Sequence, residues 1–267
     1  QMGGTTATDK SGNNNTGTLT NGPVWAKGIQ PFSGGKSGGG ALSFDGVNDY
    51  VNAGSGASLN IRNAISGSAW VKRMGGFGAN RTIMARWNAT APRPWAFIFA
   101  SNDKLYLALD NNVLIVSSDV TFTDSNWHYL AFTYDRVKAK IYIDGVLAKE
   151  ADYTAQLTDA PSEANMIGAE RGAAPTQYFN GLIDDVRIYN RALSASEVRY
   201  QYNQGKPIAH WKMDEGADTA TTCNATISTV YDYSANANHG ALESAGSPAT
   251  SSMWSDGKYG CALSFDG

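Results

Sequence analysis

From residue 41 to residue 189, apolar and polar positions alternate with a period of two, the pattern of strands that bury one face and wet the other. The segments that carry this pattern are residues 41–44, 50–52, 66–72, 82–86, 96–100, 105–109, 113–117, 127–134, 138–143, 146–151, 165–169 and 181–189. No longer helical pattern interrupts them, so the prediction is an all-β protein of two stacked antiparallel sheets. Within Ile141-Tyr-Ile-Asp-Gly-Val-Leu147, Asp144 and Gly145 supply the two positive φ angles of a primed two-residue turn, which predicts a hairpin. One short helix is predicted near the end of this region. Ser194-Ala-Ser-Glu197 reads as a capping box and Gly205 as the stop, with Val198 and Tyr202 on the inward face of a structural lid over the end of the sandwich.

The chain also repeats itself. Ala41-Leu-Ser-Phe-Asp-Gly46 recurs as Ala262-Leu-Ser-Phe-Asp-Gly267, and Asp9-Lys-Ser-Gly-Asn-Asn-Asn-Thr-Gly-Thr-Leu19 recurs in outline as Asp232-Tyr-Ser-Ala-Asn-Ala-Asn-His-Gly-Ala-Leu242. A period about one domain long predicts a tandem array. Residues 1–206 read as one copy lacking its first strand, and residues 207–267 as the start of a second. The segment Ile208-Ala-His-Trp-Lys-Met-Asp-Glu-Gly216 has no counterpart before Asp9. A copy without its first strand leaves an unpaired edge, so the stretch around Trp211 is expected to donate that strand, within the chain or between chains. The alternative is that residues 207–267 are the ordered beginning of further sequence.

Composition narrows the function classes. Charged residues are 17% of the chain, aromatics 11%, and Gly accounts for 29 of 267 positions, a mixture that suits short strands and tight turns. Lys and Arg number 21 against 24 Asp and Glu, without runs of one sign, so nucleic acid and anionic membrane surfaces are not expected partners. No apolar stretch approaches the roughly 20 residues of a membrane span, and Gln1 opens no signal peptide, so an export signal is expected outside this sequence. Two Cys and three His are too few for a Cys/His zinc site. Cys223 and Cys261 are expected to form a disulfide, worth about 3 to 4 kcal/mol for a loop of that size; two buried thiols are the alternative.

Three stretches carry a resemblance. They are Ala41-Leu-Ser-Phe-Asp-Gly-Val-Asn-Asp-Tyr-Val51, then Trp127-His-Tyr-Leu-Ala-Phe-Thr-Tyr-Asp135 running into Lys140-Ile-Tyr-Ile-Asp-Gly145, and Gly181-Leu-Ile-Asp-Asp-Val-Arg-Ile-Tyr-Asn-Arg-Ala-Leu-Ser194. In content and order they resemble the laminin-G-like or pentraxin-like jelly rolls of the concanavalin A-type lectin and glucanase superfamily. Trp211-Lys-Met-Asp-Glu-Gly216 is similar to that family's opening strand. The resemblance implies an all-β, two-sheet antiparallel jelly-roll sandwich with one short C-terminal helix. It implies less about activity, since function belongs to sites and not to folds.

Glycanases of this fold use paired carboxylates in a Glu-x-Asp-x-x-Glu pattern. That pattern is absent here, and Glu150-Ala-Asp152 is its nearest approach, so no enzymatic activity is expected. His128, beside Trp127, is expected to serve packing or turn hydrogen bonds. Calcium is the expected cofactor, in a structural role, because hard oxygen donors sit on turns. One candidate set is Asp9 and Asn13 with Asp184 and Asp185, where alternation places Asp184 on the inward face with Val186 and Ile188. The resemblance to related glucanases implies a calcium role at the Asp184 position; an Arg partner or amide donors from the Asp9 loop would serve the carboxylate equally. Asp45 and Asp49 form a second set, or cap their turn.

For ligands, Trp87, Arg93, Trp95, Asn102 and Asp103 are loop-borne candidates whose rings, amides and charges suit sugar contact, with core packing as the alternative for the aromatics. The expected function is a non-catalytic extracellular module for adhesion or carbohydrate binding in a tandem array. Glycans or surface proteins are its expected partners, along with neighbouring copies of the same domain. The alternative is a stalk or filament subunit assembled by strand donation. A secreted or cell-surface location is expected; Asn-x-Thr patterns at Asn14, Asn88 and Asn224 fit secretion, and low charge with few Cys suits a microbial surface protein.

Overall fold

The computed structural model describes residues 4–27, 40–88, 90–111, 115–170 and 174–203. Beyond these it describes residues 211, 213, 217–219, 222–223, 229–231, 238–244, 247–248, 254–256 and 261–264. The chain divides into two compact units, Gln1–Tyr202 and Asn203–Gly267.

The first unit runs through Thr6–Ala7 (β1), Gly17–Thr20 (β2), Val24–Lys27 (β3), Gly40–Asp45 (β4), Tyr50–Asn52 (β5), Ile65–Arg73 (β6), Arg81–Arg86 (β7) and Trp95–Phe99 (β8). It continues with Lys104–Leu109 (β9), Val116–Thr121 (β10), Trp127–Tyr134 (β11), Lys138–Ile143 (β12), Val146–Asp152 (β13), Met166–Ile167 (β14), Asn180–Tyr189 (β15) and the helix Ala195–Tyr202 (α1). These form an eight-stranded sheet in the order β1-β2-β5-β14-β7-β8-β9-β10 and a seven-stranded sheet in the order β13-β12-β11-β6-β15-β4-β3. The inner faces of the two sheets meet in one core of Phe44, Val71, Met84, Trp95, Phe97, Phe99, Leu107, Leu130, Phe132, Ile141 and Phe179 among others. The mostly-β, two-sheet antiparallel architecture is the one the alternation predicted.

The predicted strands recur with modest shifts. The segment predicted at 113–117 is a strand at Val116–Thr121, with residues 113 and 114 outside the described residues. Strands β1 to β3 carried no sequence signal, because at two to four residues they are too short to show an alternation. They lie on or beside the sheet edges, where one face of the pleat need not be apolar. The hairpin at Asp144-Gly145 is present, with φ of 49° and 78° at its two turn residues.

Helix α1 has the predicted capping box: the Ser194 amide donates to Glu197 Oε2 at 2.9 Å and the Glu197 amide donates to Ser194 Oγ at 3.2 Å. Its position differs from the expected lid over the end. Val198, fully buried, and Tyr202 pack on Trp70, Tyr129 and Tyr142, which form the outer face of the seven-stranded sheet, and Tyr202 stacks on Trp70 at 5.6 Å. Ser68, Tyr129 and Tyr189, polar groups on that face, all bond to Gln201. Aromatics on the outward positions of central strands need a cover, and the helix supplies it.

Strand β15 corrects the expected face of Asp184. Asp184 opposes Trp70 and Arg187 opposes Ser68, so one extra residue enters the ladder there. Asp185, at φ 47°, is the inserted residue. The bulge changes the parity: Asp184 shares the outer face with Trp70, while Val186 and Ile188 turn inward to the core.

Among its described residues the second unit holds four two-stranded ladders. Ala217–Thr219 (β16) pairs with Thr222–Cys223 (β17), Thr229–Val230 (β18) with Gly240–Ala241 (β19), Glu243–Ser244 (β20) with Ser247–Pro248 (β21), and Trp254–Asp256 (β22) with Cys261–Leu263 (β23). Cys261 is disulfide-bonded; the side chain of Cys223 lies outside the described residues. Trp211 donates its indole N–H to Asn238 O at 2.8 Å, while most of the Ile208–Gly216 stretch expected to act as donor strand lies outside the described residues. Among the described residues no helix is long and apolar enough to cross a membrane.

Candidate functional site

The sandwich has two rims of different chemistry. Arg86 pairs with Trp95 and Arg81 with Phe99 across β7 and β8, and Trp95 pairs with Leu109 and Phe99 with Leu105 across β8 and β9. Trp87, Arg93 and Asn111 therefore lie at one end of these strands, and Asn102 and Asp103 at the other. The five ligand candidates do not form one site.

At the end that carries Asp103, arginines hold the loops. The guanidinium of Arg73, 3% exposed, donates to Phe122 O at 2.6 Å, to Gly76 O at 3.2 Å and to Asp103 Oδ1 at 3.0 Å, between the rings of Phe77 and Phe99. Burial lowers its pKa, and the Asp103 carboxylate opposes that shift. Arg81 donates to Tyr178 O at 2.8 Å and to Gly46 O at 3.3 Å, which ties the β4–β5 turn to the same end. In that turn Asp45 Oδ1 accepts from the amides of Val47 and Asn48, and Asp49 Oδ2 accepts from the amide of Asp45. Asp103 also accepts from the Gly78 amide, and Asn102 bonds Tyr106 and the Lys104 amide. Both residues build this rim internally.

At the opposite end, side-chain amides and hydroxyls dominate. The Arg93 guanidinium lies over the Trp87 ring at 5.5 Å, and its Nε donates to Asn88 O at 2.9 Å. Trp87 is 9% exposed, so the ring is a pedestal for the cation and not a bare stacking platform. Asn111 accepts from the Arg93 amide and donates to Thr158 Oγ1, each at 2.9 Å, and Thr158 in turn bonds Asp110. Asn88 donates to Glu163 Oε1 at 2.9 Å. Residues 153–165 cross this end as one long loop, fastened by Asn60 to Asp159 Oδ1 at 2.7 Å, by Arg62 to Gln156 and by Gln156 to Asn63. Asn88, Asn111 and Thr158 are half-buried or exposed, so their polar edges face solvent.

Trp95 is not a rim residue. It is 1% exposed and packs against Phe132 at 5.6 Å, which corrects its expected ligand role: its position on the inner face of β8 places it in the core. Beneath the long loop lies Arg86, 1% exposed, which donates to Ala160 O and leaves its Nε and Nη1 without partners. Arg86 carries no mark in the sequence, where it ends a predicted strand, because the loop that buries it is distant along the chain.

The calcium candidates are dispersed. Asp9 sits in the β1–β2 turn at the edge of the eight-stranded sheet, and Asp184 and Asp185 sit within the seven-stranded sheet. Asp9 accepts from the amides of Ser11 and Asn15 and from the Ser11 hydroxyl, and these bonds, led by the Ser11 amide, hold its pKa below the usual carboxylate range. Asn13 bonds Ser11 in the same turn. Asp185 pairs with Arg187 at 2.9 Å, and Asp184 Oδ1 accepts from the Asp185 amide. Asp49, 4% exposed, has its pKa raised by desolvation. Each carboxylate caps its own turn or bulge. Among the described residues the six to eight oxygens of a calcium shell are not assembled, and no three His, Cys, Asp or Glu side chains group to hold a metal ion.

The model of the concanavalin A-like lectin/glucanases superfamily matches residues 44–199, more than half of the chain. Among solved structures, the fold is similar to domain 4 of AbnA, an extracellular GH43 arabinanase from Geobacillus stearothermophilus, in complex with arabinotriose. That likeness has 22% identity and a TM-score of 0.53, covering 68% of this chain and 86% of that one. It is also similar to the binding domain of botulinum neurotoxin serotype G, with 16% identity and a TM-score of 0.51 over 73% of this chain and 47% of that one. The binding domain of Paraclostridial Mosquitocidal Protein 1 gives 16% identity and a TM-score of 0.50 over 78% of this chain and 51% of that one. The chain thus spans about half the length of these toxin domains. No curated protein matches it.

Proposed function

This chain belongs to the concanavalin A-like lectin/glucanases superfamily, and on that footing we propose that it is a non-catalytic extracellular carbohydrate-binding module whose sugar-contacting surface is the rim of Arg93, Asn88, Asn111 and Thr158. The observation that carries this reading is the Arg93 guanidinium seated on Trp87, with the Asn111 side chain fixed between the Arg93 amide and Thr158 Oγ1 and the Asn88 side chain fixed by Glu163. Planar donors and acceptors held in advance recognise hydroxyls with little ordering cost. The arabinotriose complex of the similarly folded arabinanase domain supports the class of ligand, and the absence of the paired-carboxylate pattern from the sequence supports binding without hydrolysis. The disulfide at Cys261 supports an oxidising, extracellular setting. A glycan array probed with the full chain, followed by titration of arabinotriose and of any hit, tests the reading. Arg93→Ala and Asn111→Ala should each weaken binding about tenfold; no glycan bound, or binding indifferent to both changes, overturns it.

We further propose that residues 207–267 open a second copy of the domain, a reading supported by the hairpins within residues 229–263. In the first unit Thr6 opposes Thr18 and Ala7 opposes Gly17; in the second, Thr229 opposes Ala241 and Val230 opposes Gly240, one constant shift along the chain. Likewise Trp25 opposes Leu42 in β3–β4, and Trp254 opposes Leu263 in β22–β23. Two hairpins with the same order, register and Trp–Leu pair support duplication. A chimera in which residues 229–267 replace residues 6–46 should melt as one cooperative β-sandwich, and an unfolded chimera would count against equivalence.

A further inference from the structure

His128 stands on the inner face of β11, at the end held by arginines, and meets a carboxylate through each ring nitrogen. Nδ1 lies 2.9 Å from Asp144 Oδ2, and Nε2 lies 3.2 Å from Asp124 Oδ1. An ionised carboxylate accepts hydrogen bonds and donates none, so both contacts are satisfied together only by the imidazolium, with a proton on each nitrogen. The two carboxylates belong to different elements: Asp144 to the β12–β13 turn, and Asp124 to the loop between β10 and β11. The ring therefore fastens that loop to the sheet.

The other groups packed around the ring do not duplicate this tie. Arg73 of β6 lines the same narrow cleft with Val71, Phe99, Phe122 and Asn126, and its charge is matched by Asp103 of the β8–β9 turn at 3.0 Å. Lys72 opposes Trp127, on the other face of β6 and β11. The Phe122 ring meets the imidazole edge-on at 5.2 Å.

We propose that His128 is a proton-operated clamp: charged, it holds residues 122–126 closed over the buried guanidinium of Arg73, and neutral, it lets Asp124 go and opens the cleft. The asymmetry of the two carboxylates decides which contact fails. Asp144 Oδ1 also accepts the Tyr129 amide at 2.8 Å, and its side chain is held in a formed turn. Asp124 is 49% exposed, and its remaining side-chain tie, to Asn126 Nδ2 at 2.9 Å, lies within its own loop. A neutral ring that keeps Nδ1–H on Asp144 presents a bare Nε2 lone pair to the Asp124 carboxylate, which turns attraction into repulsion. Opening would give water to Arg73 Nε, which has no partner in the closed cleft.

The sign follows from the partners. The Asp144 hydrogen bond, aided by both carboxylate charges, outweighs desolvation and raises the His128 pKa above its ordinary value. A raised value means the native state binds the proton more tightly than the unfolded chain does. The clamp's stabilisation is thus fully present below about pH 6.5 and is lost as the pH rises through the folded value.

The test follows the His128 ring by NMR across pH in the full chain, assigned by its disappearance in His128→Gln. In parallel, hydrogen exchange reads the protection of the Phe122 amide, which donates to Asp103 O at 2.8 Å. The His128 midpoint should lie above 6.5, and protection of Phe122 should fall about tenfold across that midpoint, the factor expected for one charge-assisted bond, while the Tyr129 amide stays protected. Asp124→Asn should lower the midpoint and remove the step at Phe122, because a carboxamide can bond the ring in either protonation state. A midpoint at or below 6.5, or Phe122 protection without a step, overturns the proposal. The Asp124→Asn arm decides it even where His128→Gln does not fold.

Discussion

The two ends of the sandwich solve one problem with different chemistry. Each must close a core of large rings with irregular loops whose backbone groups the sheets cannot satisfy. At one end Arg73 and Arg81 reach between them the carbonyls of Gly46, Gly76, Phe122 and Tyr178, and His128 adds a clamp between two carboxylates. At the other, neutral side chains of Asn60, Asn88, Asn111, Gln156 and Thr158 link the loops, and the buried Arg86 is left half-used. A charged donor fixed on several acceptors makes a rigid end. A web of amides and hydroxyls held by one another and by neighbouring carboxylates leaves neutral polar edges facing solvent.

The contrast can be broken most directly at Arg73. Replacing Arg73 by Met leaves Asp103 and two carbonyls without their donor in a buried setting, and urea denaturation should show a loss of about 3 kcal/mol. A loss below about 1 kcal/mol would mean that Arg73 does not organise that end. At the amide rim, Asn60→Ala removes bonds to Asp159 and to the Ala160 amide, and should cost about 1 kcal/mol by the same measurement. The smallest effect is expected at Arg86. Arg86→Met loses the bond to Ala160 O but also removes a cation whose burial is unrepaid at Nε and Nη1, and with the two offsetting each other it should change stability by about 0.5 kcal/mol or less. A cost equal to that of Arg73→Met would erase the distinction between the two ends.

Much of the fold was legible along the chain because each signal was local. Alternation marked the central strands, Asp144-Gly145 marked the tightest hairpin, and the Ser194 and Glu197 pair marked the start of the helix. What escaped has an identifiable cause in each case. Strands β1 to β3 are short edge-side strands that place only Ala7, Leu19 and Trp25 against the core, too few positions for a period-two count. Asp184 was placed on the wrong face because a single bulge at Asp185 inverts the period-two count beyond it. Trp95 has the composition of a loop residue's neighbourhood, with Arg93 and Pro94 before it, yet it begins a central strand with its ring inward.

The candidate site was legible only as residue types. Trp87 and Arg93 were singled out with Asn102 and Asp103, but strands β8 and β9 carry the two pairs to opposite ends. Asn111 and Thr158 had no sequence signal, because exposed amides and hydroxyls occur throughout the chain and become a surface only where loops converge.

Left to itself, the order of residues settles what is decided between near neighbours: which of the longer segments extend, where the chain turns, where a helix begins, and which stretches of sequence recur. Contacts between residues distant along the chain settle the rest. They determine which face a carboxylate takes after a bulge, which arginine closes a rim and which is stranded beneath a loop, and whether a histidine meets one carboxylate or two. Those outcomes depend on the packing of two sheets against each other, a free energy that belongs to no single segment.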